Sequence, residues 1–196
     1  FQSFVNASGE IVASRYAEIG SNVMGRLAEL RVAEGERVRA GQVLALIDPV
    51  QARSERESVQ ALLRSLEGEA RAAAARERDA GQARDRARAL SAQGLVPQSE
   101  LDGALAAADA AAASRRAAED RVTQAQAQLR KAEDALSKTA ITSPLAGVVT
   151  RLAVREGEMV VVGVQNQPGT ILMTVSDLAQ VDAEVKVAEA DVLRLA

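Results

Sequence analysis

A short stretch of this sequence occurs twice, and the internal repeat restricts the fold more than any other feature. VAEGERVRAG at 32–41 has a near-copy, VREGEMVVVG, at 154–163. At a separation of 122 residues, the 23 positions that begin at Ile19 align with those that begin at Ile141, without a gap and with ten identities. After a six-residue insertion the pairing resumes, with VLALID on ILMTVS. The chain therefore contains two copies of one structural motif.

Each copy has the pattern of short β-strands. Apolar residues alternate with polar ones between 27 and 38, and Glu-Gly-Glu interrupts the alternation with turn chemistry. Gly35 and the equivalent Gly157 are expected to adopt a positive φ in these turns. Two such half-motifs that face each other predict a flattened β-sandwich.

The segment between the copies, residues 50–138, predicts a helical hairpin. Ala, Arg, Glu, Gln and Leu dominate it, all of them good helix formers. AQGLVPQ at 92–98 supplies the glycine and the proline of a turn, and Pro97 is the segment's one proline. The segment thus predicts two antiparallel arms of about 40 residues, each on the order of 60 Å long.

Apolar residues recur every seven positions in both predicted arms, which is typical of a coiled coil. In the first arm the rows are Val59, Leu66, Ala73, Ala80 and Ala87, and, three residues later, Leu62, Ala83 and Leu90, interrupted by Glu69 and Arg76. In the second arm they are Leu101, Ala108, Val122, Leu129 and Leu136, interrupted by Arg115, and Ala104, Ala111, Ala118, Ala125 and Ala132. The alanines bury little area but let the two backbones approach closely. On this pattern alone, a coiled coil that acts only as a structural spacer is an equally good interpretation.

Composition argues against several classes of function. The chain has no histidine, the commonest acid–base group and metal ligand near neutral pH, and no cysteine. Its formal net charge of −3 lacks the basic surface typical of nucleic-acid binding, and its 2% of aromatic residues disfavour a large aromatic-lined pocket. No apolar run approaches the roughly 18–20 residues of a membrane span. We therefore expect no catalytic residues, no metal site, no cofactor and no nucleic-acid partner.

The paired half-motifs resemble the lipoyl or biotinyl carrier domain, in which a short hairpin with a modified lysine joins the two halves. In this chain the equivalent point follows Asp48-Pro49, and the first lysine is Lys131. A carrier function therefore lacks its acceptor residue. The helical segment 50–138 stands in place of the carrier's hairpin.

The order of half-lipoyl motif, coiled-coil hairpin and half-lipoyl motif resembles the periplasmic adaptors of tripartite efflux pumps, the HlyD- and MacA-like membrane fusion proteins. The flanks, VNASGEIVASRYAEIG and VDAEVKVAEADVLRL, resemble strands of the β-barrel domain that adjoins it. The resemblance implies an α+β fold, a flattened lipoyl-like β-sandwich split by a long antiparallel coiled-coil hairpin, with strands of an incomplete β-barrel domain. The implied domains are a barrel strand at 1–18, the first lipoyl half at 19–49, the hairpin at 50–138, the second lipoyl half at 139–177, and the start of a truncated barrel at 178–196.

The resemblance also implies a docking site at the hairpin tip. Such adaptors share an Arg, a Leu four residues on and a Ser seven residues after that, and the matching positions here are Arg86, Leu90 and Pro97. The partner implied for this tip is an outer-membrane channel. Proline in place of serine removes a hydroxyl that could bond to that channel, and Ser99 lies two positions further on. An arginine fork can bond carbonyls or carboxylates across a rim. The alternative is that Arg86 lies on a solvated helix face and Leu90 only closes the hairpin.

The six-residue insertion of the second copy forms a polar loop that resembles a loop of the MacA-type adaptors. In those proteins, glutamines of six subunits surround the central channel as a one-way gate. The segment VQNQPGT contains the candidates Gln165, Asn166 and Gln167, and a carboxamide can donate and accept at once, so that a ring can close through side-chain hydrogen bonds. The alternative is an ordinary solvated loop.

The resemblance therefore implies an adaptor that does no chemistry. It would link an inner-membrane transporter, with an ABC permease of the MacB type favoured, to a TolC-like outer-membrane channel, as a homo-oligomer, with a hexamer expected. It would lie in the periplasm, attached to the inner membrane through segments outside this sequence. The adaptor of an RND pump, the adaptor of a type I secretion system and the structural spacer are the alternatives.

Overall fold

The structure is a computed structural model, and it describes residues 8–163 and 169–186. The elements in chain order are β1 (Ser8–Gly20), β2 (Gly25–Leu30), β3 (Arg37–Val38), β4 (Val43–Ile47), α1 (Val50–Ala92), α2 (Gln98–Ser137), β5 (Ala140–Thr142), β6 (Gly147–Leu152), β7 (Met159–Val160) and β8 (Ile171–Lys186). The chain divides into a β unit, formed by residues up to Pro49 and from Lys138 onward, and a helical unit, Val50–Ser137.

The two copies of the repeat interleave in the β unit. One four-stranded sheet has the order β1-β8-β6-β3 and the other the order β5-β4-β2-β7, with antiparallel pairing throughout. Each sheet takes two strands from each copy, so both copies are needed to build either one. The predicted α+β class, a sandwich interrupted by a helical hairpin, is confirmed.

Equivalent residues of the two copies also form equivalent hydrogen bonds. The amide of Gly35 donates to the carbonyl of Val149, and the equivalent amide of Gly157 donates to that of Leu27, both at 2.8 Å. Each Glu-Gly-Glu turn is therefore held by the opposite copy. The two glycines have φ of 87° and 88°, which confirms the predicted left-handed backbone at both turns.

The core of the β unit consists entirely of residues that are equivalent in the two copies. Its apolar side chains are almost fully excluded from solvent. The equivalent pairs are Ile19 and Ile141, Leu27 and Val149, Val32 and Val154, Val38 and Val160, Leu44 and Leu172, Ala45 and Met173, and Ile47 and Val175. Burial of these side chains at the centre of the sandwich, at roughly 1.5–3 kcal/mol for each of the larger ones, drives the two copies together.

The long strands β1 and β8 pair with each other from Ser8 and Lys186 to Gly20 and Ile171, with irregularities in register along the way. The flanking sequences are thus extended, as predicted, over the part of the chain that the structure describes. Residues 1–7 and 187–196 lie outside the described residues. Neither helix is long and apolar enough to cross a membrane.

The helical unit is the predicted antiparallel pair, and one of its predicted heptad rows is wrong. The row from Val59 to Ala87 and both rows of α2 face the seam between the helices. The companion row of α1 does not, because Leu62 and Leu90 remain 47% and 40% exposed. The half-buried row lies one residue further along and contains Arg56, Leu63, Ala70, Glu77, Arg84 and Ser91. An apolar heptad pattern favours the row with Leu62 and Leu90, whereas the row that lies at the seam contains charged residues.

Candidate functional site

The hairpin tip is closed by a defined cap at the end of α1. The amide of Leu95 donates to the carbonyl of Leu90, and the amide of Gly94 donates to that of Ser91, both at 3.0 Å. Gly94 has a φ of 70°. These two bonds with a left-handed glycine form a Schellman motif, which satisfies carbonyls that the helix end leaves free. The cap holds the turn in a fixed shape and leaves the Leu95 side chain 65% exposed.

The structure brings two of the three predicted docking residues onto one part of the tip. Arg86 and Leu90 lie one helical turn apart on α1, and both side chains are exposed. Pro97 is also exposed, on the other side of the turn. Its carbonyl accepts a bond of 3.1 Å from the amide of Glu100, so it precedes α2 as the capping residue without a side-chain acceptor. Leu90 and the exposed Leu95 form an apolar end of the hairpin, and Arg86 and Pro97 flank it.

Positive charge lies close to this end. Arg84 forms an ion pair of 2.8 Å with its neighbour Asp85, and Arg86 and Arg88 are exposed. Exposed ion pairs of this kind contribute only about 0–1 kcal/mol, so the pair with Asp85 adds little rigidity to Arg84. The tip thus offers apolar side chains beside guanidinium groups, which can bond carbonyls or carboxylates of a partner.

The predicted gate residues, Gln165, Asn166 and Gln167, lie outside the described residues. The structure describes the base of their loop. The amide of Val161 donates to the hydroxyl of Thr170 at 3.1 Å, and the amide of Thr170 donates to the carbonyl of Val161 at 3.0 Å. These two bonds close the loop at its base, next to β8.

A polar cluster in the middle of the hairpin is the feature that sequence reasoning missed in part. Arg115 contacts Glu77 of the other helix at 2.5 Å and also Glu119 of its own helix. The hydrogen bond and charge of Glu119, together with Glu77, raise the pKa of Arg115 above its ordinary value. The sequence pattern identified Arg115 as an interruption of the seam but not its partner. Glu77 belongs to the half-buried row of α1, one residue after the row that the pattern predicted.

The described residues contain no group of three or more acidic or other metal-ligating side chains placed to hold a metal ion.

Comparison with known proteins identifies the family. Residues 15–173 match the family model described as the RND MFP, barrel-sandwich hybrid domain. This match spans most of the chain, and includes the first copy of the repeat, the whole hairpin and all but the last three residues of the second copy.

Two curated relatives cover almost all of the chain. It is 31% identical over 194 residues to the macrolide export protein MacA of Escherichia coli O157:H7, a match that covers 99% of this chain and 52% of the relative. It is 32% identical over 187 residues to the multidrug efflux pump subunit AcrA of Escherichia coli K12, covering 95% of this chain and 43% of the relative. The chain thus spans about half the length of these relatives.

A solved structure agrees with the fold. The crystal structure of MacA from Actinobacillus actinomycetemcomitans is similar with a TM-score of 0.83 and 27% identity, over 95% of this chain and 57% of that chain. The interleaved sandwich, the hairpin that interrupts it and the family match lead to one conclusion: the chain belongs to the membrane fusion protein family, of which it contains the barrel-sandwich hybrid domain.

Proposed function

We propose that this chain belongs to a periplasmic adaptor, a non-catalytic subunit that links an inner-membrane transporter to a TolC-like outer-membrane channel. The observation that carries the proposal is the hairpin. A helix of 43 residues extends for about 65 Å and ends in a capped, exposed apolar tip. A rigid arm with an exposed end suits a protein that must contact a partner at a distance.

For the transporter, an ABC permease of the MacB type is the first candidate. The identity to MacA proteins and the likeness of the 164–170 loop to the MacA-type loop support it. An RND transporter is the second candidate, since the matching family model bears the RND name and AcrA is a relative at similar identity. The chain's assembly into a ring of six copies is part of the same proposal, because a closed ring is needed to seal a conduit.

The docking proposal assigns Arg86, Leu90 and Pro97 to contact with the channel. In a binding experiment with the full-length protein and the purified channel of the same organism, Leu90→Asp and Arg86→Asp should each weaken binding by tenfold or more. The matched control is Leu62→Asp, because Leu62 is an equally exposed leucine of α1 far from the tip. Equal binding by the wild type and both tip variants would refute the docking site.

The gate proposal assigns Gln165 and Gln167 to a ring of side-chain hydrogen bonds that closes the conduit, with Asn166 between them. It rests on the loop's composition and on the likeness to MacA-type adaptors. In cells that lack their own adaptor, replacing both glutamines with alanine should increase leak through the assembled pump. Unchanged leak and unchanged export, at normal protein level, would contradict the gate.

A further inference from the structure

A cleft with a volume of about 640 Å³ opens on the β unit, beside the edge strand β3. Its size lies within the range of small-molecule sites. Arg37 of β3 and Arg39, just after that strand, line it on one side of β6, and Asp177, Leu178 and Ala179 of β8 line it on the other. The sandwich thus brings together segments that are far apart in the sequence.

An irregularity of β8 shapes one wall of the cleft. Ala13 pairs with Val181 and Arg15 pairs with Asp177, so three residues of β8 lie opposite a single residue of β1. Such bulges redirect side chains, and they are common next to functional sites. Leu178 belongs to this bulge, lines the cleft and is 51% exposed. The wall of the cleft therefore offers an apolar side chain that has no place in the core.

The cleft carries positive charge, although the chain has a formal net charge of −3. Arg37 and Arg39 are both exposed, and neither forms an ion pair with a carboxylate in the described part of the chain. Asp177 accepts a hydrogen bond of 3.0 Å from the amide of Ala179 and lies 4.0 Å from the guanidinium group of Arg15. Because Asp177 already has these partners, both arginines of the opposite wall are left for a ligand.

The internal repeat shows that the fold does not require arginine at these two positions. At the separation of 122 residues, Arg37 and Arg39 are equivalent to Met159 and Val161. Both pairs lie at the edge of a sheet, at β3 and at β7. Met159 and Val161 are exposed as well, at 61% and 45%. Since the same place in the sandwich accepts apolar side chains, the charge beside β3 needs an explanation other than stability.

We propose that this cleft binds a phosphate monoester with an apolar substituent. The phosphate group carries about two negative charges at neutral pH and several acceptor oxygens, which suits two guanidinium groups. Alternate residues of a strand point to the same face, so Arg37 and Arg39 start about 7 Å apart and their long side chains can meet at one group. Leu178 contacts the apolar substituent. Such esters occur both as soluble molecules and as the head groups of membrane lipids.

Isothermal titration calorimetry of the full-length protein with hexyl phosphate tests the proposal. Hexyl phosphate should bind saturably, inorganic phosphate at least tenfold more weakly, and the uncharged hexyl glucoside not at all. Arg37→Met and Arg39→Val introduce the residues of the second copy, so they should fold normally and weaken hexyl phosphate binding by tenfold or more. Leu178→Ser should weaken it while leaving inorganic phosphate unchanged. The matched control is Arg155→Gln, an exposed arginine that does not line the cleft, and it should bind like the wild type.

The absence of saturable binding by hexyl phosphate would overturn the proposal, as would binding that both arginine variants retain. Equal affinity for hexyl glucoside would overturn it too, because that probe has no acidic group. Dihexanoyl phosphatidic acid, a water-soluble lipid, separates the two sources of the ester. Tighter binding than that of hexyl phosphate would support a lipid head group, and weaker binding would support a soluble ester. The docking tip and the ring lie outside this test, since the cleft belongs to the β unit alone.

Discussion

Single glycines decide how closely the strands of the β unit approach each other. A side chain at Gly147 would meet the backbone carbonyl group of Ser176 and, at 3.2 Å, the side chain of Val175. At the equivalent Gly25 it would meet Ile47 at 2.6 Å. Glycine at the start of β2 thus leaves room for a side chain of β4, and glycine at the start of β6 leaves room for the backbone of β8.

We expect Gly147→Ala to destabilise the protein by about 1–3 kcal/mol, the usual cost of forcing atoms into a packed site. Urea unfolding measures the change. The control is Gly103→Ala, which lies in α2 with open space around it and should stabilise by about 0.5–1 kcal/mol through better helix propensity. A Gly147→Ala protein as stable as the wild type would show that the strand can move aside.

The sequence predicted the conformation of some glycines and not the role of others. Gly35 and Gly157 stand in Glu-Gly-Glu turns, so local chemistry was enough to predict their positive φ. Gly25 and Gly147 were visible only as identities within the repeat. Their role depends on strands that are distant along the chain, which no local pattern contains.

At the scale of elements, the hairpin seam is rich in alanine, and near its middle Arg115 contacts Glu77 and Glu119. Alanine rows look alike from one heptad to the next, so they specify poorly which residues lie opposite each other. Glu69 and Arg121 form an exposed ion pair of 3.8 Å between the helices, and Glu77 and Arg115, both about 30% exposed, form the shorter and more buried one. We infer that this pair helps to set the register of the arms, a use of polar seam positions known from coiled coils.

Glu77→Arg should lower the melting midpoint of the full-length protein's helical signal by a few degrees, because two guanidinium groups would then face each other. Asp79→Arg makes the same change at an exposed position of α1 without a recorded ion pair, and should have little effect. The carboxylates of Glu119 and Glu77 raise the pKa of Arg115 above its ordinary value, so its guanidinium group stays charged throughout the neutral and mildly alkaline range. The difference between wild type and Glu77→Arg should therefore be the same at about pH 6 and about pH 9. Equal midpoints for both variants would remove the register role.

Sequence patterns predicted both helices, their turn and three of the four seam rows. The fourth row failed because Leu62 and Leu90 fit the expected apolar spacing better than Glu77 and Arg84 do. Those polar residues remain half-buried, since the long stems of such side chains can pack along a seam while their charged ends find partners. Leu90 instead lies exposed at the tip, where exposure suits a docking role better than a packing role.

For the whole molecule, the internal repeat had the most predictive value. It predicted a flattened β-sandwich with the hairpin inserted between its halves, and the family match agrees with this architecture. The interleaving of strands from both copies within each sheet came from the structure. The docking tip, the gate and the partners could only be inferred by resemblance, because they are properties of an assembly and not of one chain. They remain predictions for Arg86, Leu90, Pro97, Gln165, Asn166 and Gln167.

The most direct test of the adaptor proposal is reconstitution of the full-length protein with the TolC-like channel and the ABC permease of its own organism, imaged by electron microscopy. The account predicts an elongated assembly in which a ring of six adaptors separates permease from channel, with the hairpin tips at the channel. Folded, purified components that form neither a ring nor a complex with the channel would contradict it.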